Sequence, residues 1–323
     1  MFHYLPVETG ECQAMRVVSD ISLLPYNTFG IDAKARLYIE YYSLDELREV
    51  LKTHKGERIL HIGQGSNLLF TKDFDGIILH SGMARAKFLD DNTVEAQNGL
   101  RLDDMIAQLT DMGYSGLEKL SLIPGEVGAS AVQNVGAYGV EAKDVIERVY
   151  TLDVETLKER VFTNAECKFG YRDSAFKHEL KGKYIVTSVV YKVKPGDATK
   201  TREEIIETRN GKLPKVGEIG SAGSFFMNPF VPEEQANALL KQYPDMPHFQ
   251  TPQGVKIPAA WLIEQCGWKG KTHGGAQVWP KQPLVIVNAN HATAQDIIDL
   301  AAQVSASVKE KFNISINPEV NYI

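Results

Sequence analysis

Cysteine is scarce in this chain. Cys12, Cys167 and Cys266 are the only three among 323 residues, and they stand far apart without CxxC spacing. That excludes a disulfide framework and a thiolate zinc site, and it suits a reducing compartment. The eight histidines form no HxH or HExxH pair, so no metal centre is expected. No apolar run reaches membrane-spanning length. The opening MFHYLPVETGECQAMRVVSD lacks a basic segment leading into an apolar one, so it does not read as a secretory signal. A cytoplasmic protein is expected. Positive charge is also short: a net −6 argues against bulk nucleic-acid binding, while leaving room for a nucleotide in a local basic pocket. Repeats and low-complexity tracts are missing too, and nothing in the sequence requires an obligate protein partner.

What is present fits an ordinary globular composition, and 323 residues exceed the usual range of one core, so two or three subdomains are expected. The first twenty residues read as a loose extension, with Met15 as an alternative start. In SLDELREVLKTH, Ser43 and Glu46 have capping-box spacing, and Leu44, Leu47, Val50 and Leu51 share a helical face. RILHIGQGSNLLF predicts a strand, a glycine-rich turn and a second apolar run, followed by GIILH; RLDDMIAQLTDMGY predicts another helix. VIERVYTLDVETLKERVF reads as a hairpin around Glu155-Thr156, and YIVTSVVYKVK as an alternating strand. KPGDATK, from Lys194 to Lys200, is the best linker. Beyond it come the helix REEIIETRN, the run GSAGSFFMNP, a helix around AAWLIEQC, the strand PLVIVN and a long helix from Thr293 to Lys311. The fold class is α+β, and function does not follow from that alone.

Three glycine-rich stretches stand out. Gly63-Gln64-Gly65-Ser66-Asn67 follows a strand, where successive N–H groups can face an anion. A Rossmann fingerprint is rejected, because Leu68 occupies the third glycine position and a strand, not a helix, follows. A tight turn and a phosphate cradle both stay open. In LIPGEVGASAVQNVGAYGVE, Pro124-Gly125 breaks the chain before a short small-faced helix whose N–H groups would suit a pyrophosphate; close helix–sheet packing is the other reading. The third stretch, Gly220 to Pro229, sets the hydroxyl of Ser224 between small residues and Phe225-Phe226. Three such loops together favour a large, extended ligand.

In their order and spacing, NTFGID, GQGSNLLF, LSLIPGEVGASAVQNVGAYGVE, CKFGYRDSAFK, KLP, GSAGSFFMNP, AAWLIEQCGWKG and the terminal PEV make the chain similar to the MurB family, the UDP-N-acetylenolpyruvoylglucosamine reductases. The resemblance runs from Asn27 to Pro318 and beyond. It implies a two-part FAD-binding region of the vanillyl-alcohol-oxidase (PCMH) type and a C-terminal α/β substrate-binding domain. The corresponding boundaries are an N-terminal extension at 1–26, FAD-binding subdomains at 27–82 and 83–197, and a substrate-binding domain at 198–323 whose last strand returns to the active site. It also implies a reaction of peptidoglycan synthesis: NADPH reduces FAD, hydride then passes to C3 of the enolpyruvyl group, and a proton goes to C2.

By the same resemblance Arg172, in GYRDSAF, corresponds to the catalytic arginine, Ser224 to the proton donor and Glu319, in NPEV, to the catalytic glutamate. The chemistry agrees with those types. A guanidinium forks onto a carboxylate and stays charged, and a glutamate beside a substrate carboxylate must be protonated or compensated. Without the resemblance, Arg172 reads as a surface partner of Asp173 and Glu319 as a solvated tail carboxylate. Tyr138, Lys212, Asn228 and Gln282 correspond to UDP-sugar contacts; Lys212 is the phosphate partner, with Arg209 assisting one turn earlier. FAD contacts are implied at Gly63, Gln64, Gly65, Ser66, Asn67 and Leu68, and at Pro124, Gly125, Gly128, Ala129, Ser130, Gln133, Asn134 and Gly136.

The chain departs from its relatives in two places. It carries the GYRDSAFK of the longer form, yet YKVKPGDATKTREE has no tyrosine loop to close over the diphosphate, so a more open phosphate site is expected. Met227 stands where a lysine is common. Two other functions fit parts of the pattern. An oxygen-using flavin oxidase on the same scaffold needs the glycine-rich loops but not Arg172, Ser224 and Glu319 together, and a non-enzymatic UDP-sugar-binding module would be colourless.

Overall fold

The computed structural model describes residues 14–215 and 217–323. They divide into two compact units. Unit 1 takes the chain up to Ser22, then Lys34–Gly65 and Phe74–Arg209; unit 2 takes Leu23–Ala33, Ser66–Asp73 and Asn210–Ile323. The division therefore falls inside the first glycine-rich turn, between Gly65 and Ser66, and inside the helix Thr199–Lys212. A boundary at 197–198, the one expected from sequence, lies within a stretch that packs with unit 1.

Unit 1 is built on two larger sheets. In the first, Arg16–Ser22, Lys34–Tyr41, Phe74–Ser81 and Ile59–Ile62 lie in that order; the first pair is antiparallel and the other two are parallel. Here the reading of the first twenty residues needs correction. Residues 1–13, with Cys12, lie outside the described residues, but Arg16–Ser22 is an ordered edge strand paired from Arg16↔Glu40 to Ser22↔Lys34. Its apolar side chains are β-branched and spaced too irregularly to show a clean two-residue period, which is why it does not look like a strand.

The helix Leu44–Thr53 covers this sheet, burying Leu47, Val50 and Leu51 with Ile39, Ile77 and Leu79. Ser43 caps it by accepting the Glu46 N–H at 3.2 Å, while the Glu46 carboxylate reaches the N–H of Tyr42 rather than that of Ser43. The capping box is thus half made, and its second arm holds the residue before the cap.

The second sheet of unit 1 is antiparallel throughout, in the order Glu159–Thr163, Ile146–Asp153, Tyr184–Lys192, Thr93–Gln97, Ala86–Asp90. The expected hairpin turns at Glu155-Thr156, where the Asp153 carboxylate accepts both of their N–H groups. Tyr184–Lys192 is the central strand and is buried on both faces from Ile185 to Tyr191. The strand is there as expected, but the alternation is not: its residue types do not alternate, and Thr187 and Ser188 are buried with their apolar neighbours. The helices Leu102–Asp111 and Val127–Gln133 join this core.

Unit 2 is built on the sheet Gly220–Ser224, Val285–Asn288, Ala276–Val278, Thr272–His273. A smaller sheet joins Phe230–Val231, Gly254–Lys256 and Phe249–Thr251. The long helix Ala294–Phe312 starts on a complete capping box made by Thr293 and Asp296. It buries Ile297, Leu300, Val304 and Val308 in one core with Phe225, Phe226, Leu262 and Ile286. No helix among the described residues is long and apolar enough to cross a membrane.

Candidate active site

In unit 1, Gly63, Gln64 and Gly65 turn the chain at the end of strand Ile59–Ile62, with Gly65 at φ 64°. The side chain of Gln64 reaches across to the second glycine-rich stretch, its Oε1 accepting the Gly125 N–H at 2.8 Å. A Cβ on Gly63 would lie 3.0 Å from the Glu126 carboxylate, so a larger residue here would require that side chain to shift. Gly125 sits at φ 134°, a conformation open to glycine alone.

Beyond Pro124-Gly125 the helix Val127–Gln133 is only seven residues long. Its first turn is tied to the loop before it by Val127 N–H to Leu100 O and Gly128 N–H to Asn98 O. A Cβ on Gly128 would meet that of Asn98 at 2.9 Å. Ser130 is buried and shares a 2.6 Å hydrogen bond with the Tyr191 hydroxyl. Asn134 ends the helix in the left-handed region, donating to Gly170 O and accepting from the Lys143 N–H. The side chains of Ser130 and Asn134 are therefore engaged inside the protein, whereas Ala129 is exposed. Gln133 Oε1 accepts from Lys177.

Gly136-Ala137 and Val140-Glu141 then form a hairpin with a two-residue loop, Tyr138 at φ 52° and Gly139 at φ 80°. Two successive positive φ values fit a tight hairpin turn, and they put Tyr138, 44% exposed, at its tip. Arg172 occupies a second tight turn, between Gly170 and Asp173, with φ 53°. Its Nη2 donates to Gly136 O at 2.5 Å, so the arginine turn and the tyrosine hairpin are joined. Asp173 faces His178, which lies 2.8 Å from it. Non-glycine residues in this region carry a local conformational cost and cluster at working sites.

Arg209 completes this group. Its Nη2 donates to the carbonyl of Leu122, itself at φ 57°, and it interacts with the Tyr138 hydroxyl. Burial pulls the guanidinium below its usual pKa, against the opposing pull of Tyr138 and Asp103. Its Nε is buried without a hydrogen-bond partner among the described residues. A buried, charged N–H left over in this way fits a ligand carrying phosphate or carbonyl oxygens, as FAD and a UDP-sugar both do.

Below the two glycine-rich stretches lies a cluster that motif reading missed. His80 stands between two carboxylates, with Nδ1 3.0 Å from Glu40 and Nε2 2.9 Å from Glu126. Burial alone would lower its pKa, but the two carboxylates overrule it and push it up to about 9. The residues are 40, 80 and 126 in the chain, so no local spacing betrays them; only the pairing Glu40↔His80 between parallel strands does.

In unit 2, Gly220–Ser224 pairs with Val285–Asn288, and the register shifts between Ser221 and Ser224. Gly223 supplies the left-handed residue of this bulge, at φ 68°. A bulge re-aims the side chain that follows it, and Ser224 is that residue. Phe225 and Phe226 anchor the far side, 0% and 1% exposed, with rings 5.1 Å apart. The C-terminal segment runs antiparallel beside them: Glu319 N–H donates to Phe225 O at 2.8 Å and Met227 N–H to Asn317 O at 2.9 Å. Asn67 braces the same segment, donating to Glu319 O and accepting from Asn321, while Leu68 pairs with Asn321. The segment that carries Glu319 thus lies between Asn67 and Phe225, the residue after Ser224.

Lys212 is exposed at the helix end, and its carbonyl accepts the Trp279 indole N–H at 3.0 Å. Asn228 Oδ1 accepts the N–H of Ala259 and so caps the helix Ala259–Gln265. Gln282 begins the turn before Val285–Asn288, accepting the Val285 N–H at its carbonyl. Between residues 184 and 202 the only tyrosines are Tyr184 and Tyr191. Tyr184 stacks edge-on against Phe162, and Tyr191 is fully buried.

Residues 214–323 match the family model of the UDP-N-acetylenolpyruvoylglucosamine reductase C-terminal domain, and residues 35–156 match an FAD binding domain. A UDP-N-acetylenolpyruvoylglucosamine reductase of Bacteroides fragilis is 47% identical over 94% of this chain and 98% of its own. That of Flavobacterium johnsoniae is 40% identical over 96% and 100%. The crystal structure of the Thermus caldophilus enzyme superposes with a TM-score of 0.73 at 25% identity, covering 95% of this chain and 99% of that one.

Proposed function

The chain belongs to the UDP-N-acetylenolpyruvoylglucosamine reductase family, flavin-dependent oxidoreductases, and on that premise we propose that it reduces UDP-N-acetylglucosamine enolpyruvate to UDP-N-acetylmuramate. NADPH is the proposed reductant, peptidoglycan synthesis the proposed pathway and the cytoplasm the proposed setting. Bound FAD would supply the hydride that adds to C3 of the enolpyruvyl group. The residues of the chain do the rest.

Hydride addition drives negative charge from C2 toward the carboxylate. Arg172 holds that carboxylate through its fork and stabilises the charge as it develops. Ser224 gives its hydroxyl proton to C2: a C–H bond forms, the O–H bond breaks, and the alkoxide left behind is reprotonated from solvent. A serine hydroxyl is a weak acid, so this transfer needs a strongly basic carbon and a site where water does not compete. Glu319 orients the carboxylate end of the substrate in its protonated state, since two carboxylates side by side repel. Tyr138, Arg209, Lys212, Asn228 and Gln282 bind the sugar nucleotide, with Lys212 and Arg209 toward the diphosphate. The stretch 184–202 carries no tyrosine loop to close over the phosphates, so the phosphate site is open there. The glycine-rich stretches at Gly63–Leu68 and Pro124–Gly136 hold FAD.

The observation that carries this reading is the bulge at Gly223, after which Ser224 rejoins the ladder opposite Val285, next to Phe225, whose carbonyl accepts the Glu319 N–H. In the test, NADPH bleaches the flavin, and the enolpyruvyl sugar nucleotide restores its colour. Ser224→Ala leaves bleaching intact and slows recovery by about 10²–10⁴-fold, the loss expected for a missing general acid. Slow bleaching with normal recovery would overturn the assignment of Ser224. Oxygen consumption without any response to the sugar nucleotide would overturn the reductase.

A further inference from the structure

Unit 1 contains two polar chains running side by side beneath its glycine-rich loops. Adjacent residues of the same strands supply them. Glu40 and Tyr41 come from one strand, His80 and Ser81 from the next, and Ile62 pairs with His80 just before the turn at Gly63. The first chain is Glu40–His80–Glu126. The second runs from His61 to the Tyr41 hydroxyl at 2.9 Å, then to Asn98 and Ser81. Both end at the second glycine-rich stretch. Glu126 packs its other carboxylate oxygen against Gly63, and the Asn98 carbonyl receives the Gly128 N–H at 3.0 Å.

We propose that His80 is a positioning residue for FAD: clamped between Glu40 and Glu126, it fixes the Glu126 carboxylate against Gly63 and so locks the Gly63–Gly65 turn to the Pro124–Gly128 stretch. The proposal rests on the reading that these loops hold the flavin. The geometry argues that the clamp is cationic. Both ring nitrogens of His80 face carboxylate oxygens at hydrogen-bond distance, so an imidazolium can donate to both; burial raises the pKa of Glu126, and the pull of His80 opposes it. Glu126 is the more buried of the two acids, so it depends most on that cation. Gln64 completes the lock from above by accepting the Gly125 N–H.

Other charged and titratable groups face the clamp, among them Tyr41, which interacts with Glu126. Glu40 is also approached by Arg16 at 3.9 Å and by Tyr42, Arg101 acts on Glu126, and the ring of Tyr38 stacks on His80. His61 is held neutral, its pKa pushed down to about 3 by burial and by His80. His80 carries the opposite shift, up to about 9. A histidine with a raised folded-state pKa contributes fully below its ordinary value near 6.5 and loses its contribution as pH rises through the folded value. The clamp therefore holds at neutral pH and opens as pH climbs past about 9.

The test measures the dissociation constant of FAD from the apo-protein by flavin fluorescence, between pH 7 and pH 10. For the unaltered protein the constant is flat at neutral pH and rises through about 9. For His80→Gln it is at least about tenfold weaker at pH 7.5, a change of ~1.4 kcal/mol, and the alkaline rise is gone. Glu126→Gln removes one of the two carboxylates that hold the proton, so the rise moves to lower pH. Circular dichroism confirms that each variant is folded at the temperature of the titration. A merely structural histidine would lower thermal stability and leave the constant of the folded protein unchanged. An unchanged constant in His80→Gln overturns the proposal. If His80→Gln does not fold, an unmoved alkaline rise in Glu126→Gln overturns it. Failure of the unaltered protein to bind FAD would overturn the reading of the loops itself, a distinct result.

Discussion

Glu319 donates its backbone N–H to the carbonyl of Phe225 at 2.8 Å, so the last strand is hydrogen-bonded to the residue that follows Ser224. Main-chain pairing thus helps to fix the position of Glu319. The pairing continues to the final residues: Asn321 N–H reaches Asn67 O, Ile323 N–H reaches Leu69 O, and Thr71 N–H reaches Ile323 O. Deleting Asn321 to Ile323 removes these three bonds, each worth about 1 kcal/mol. The expected outcome is a lower melting temperature together with at least a ~10-fold loss of the substrate-driven recovery of flavin colour, since a loosened strand misplaces the group it carries. If the melting temperature falls and recovery keeps its rate, Glu319 does not owe its placement to the terminal strand.

Arg172 is held at both ends of its side chain. Its backbone sits in a left-handed turn, and its Nη2 is bonded to Gly136 O. Arg172→Lys keeps the charge but loses the planar fork that matches a carboxylate. The expected result is a kcat lower by about 10²-fold, with a raised KM for the sugar nucleotide, because the fork serves both the bound state and the developing charge. Reduction of the flavin by NADPH is expected to keep its rate. Stopped-flow measurement of the two half-reactions separates these effects. Equal slowing of both halves would sink the assignment.

What the sequence revealed and what it hid differ by the range of the interactions involved. Ser43 before an apolar stripe, the Asp153–Thr156 turn and Thr293 ahead of the long helix are local signals, and each marks the element it should. The glycines at 63, 125 and 223 also speak locally, since close approach or a positive φ leaves few alternatives. The edge strand Arg16–Ser22 was hidden because its mostly solvated face imposes no apolar period. The His80 clamp was hidden for a different reason: Glu40 and His80 meet through strand register, and Glu126 joins them from the start of the helix Val127–Gln133. Tyr138 and Arg172 were legible as residues, through motifs shared with relatives, but their left-handed backbones were not.

The strained loop that opens the second glycine-rich stretch has its own electrostatic anchor, and that anchor sets a pH dependence. Leu122, at φ 57°, donates its N–H to Asp103 Oδ1 at 2.8 Å, and Asp103 is paired with Arg202 at 2.6 Å. Burial works to raise the Asp103 pKa, but the Arg202 pair and the Leu122 N–H together hold it below its ordinary value. For a carboxylate lowered in this way, the stabilisation is present above about pH 4 and disappears as pH falls through the folded-state value. The side chains of Asp103 and Arg202 are 19% and 13% exposed, so solvent screens the pair only modestly. Asp103→Asn is expected to cost about 1–3 kcal/mol at pH 7, the penalty for leaving a buried charged donor poorly matched. The gap between variant and unaltered protein should narrow between pH 7 and pH 3, as the carboxylate begins to take up its proton below about pH 4. Urea unfolding at the two pH values measures it, and a gap that stays constant from pH 7 to pH 3 would rule out the ion pair as its source.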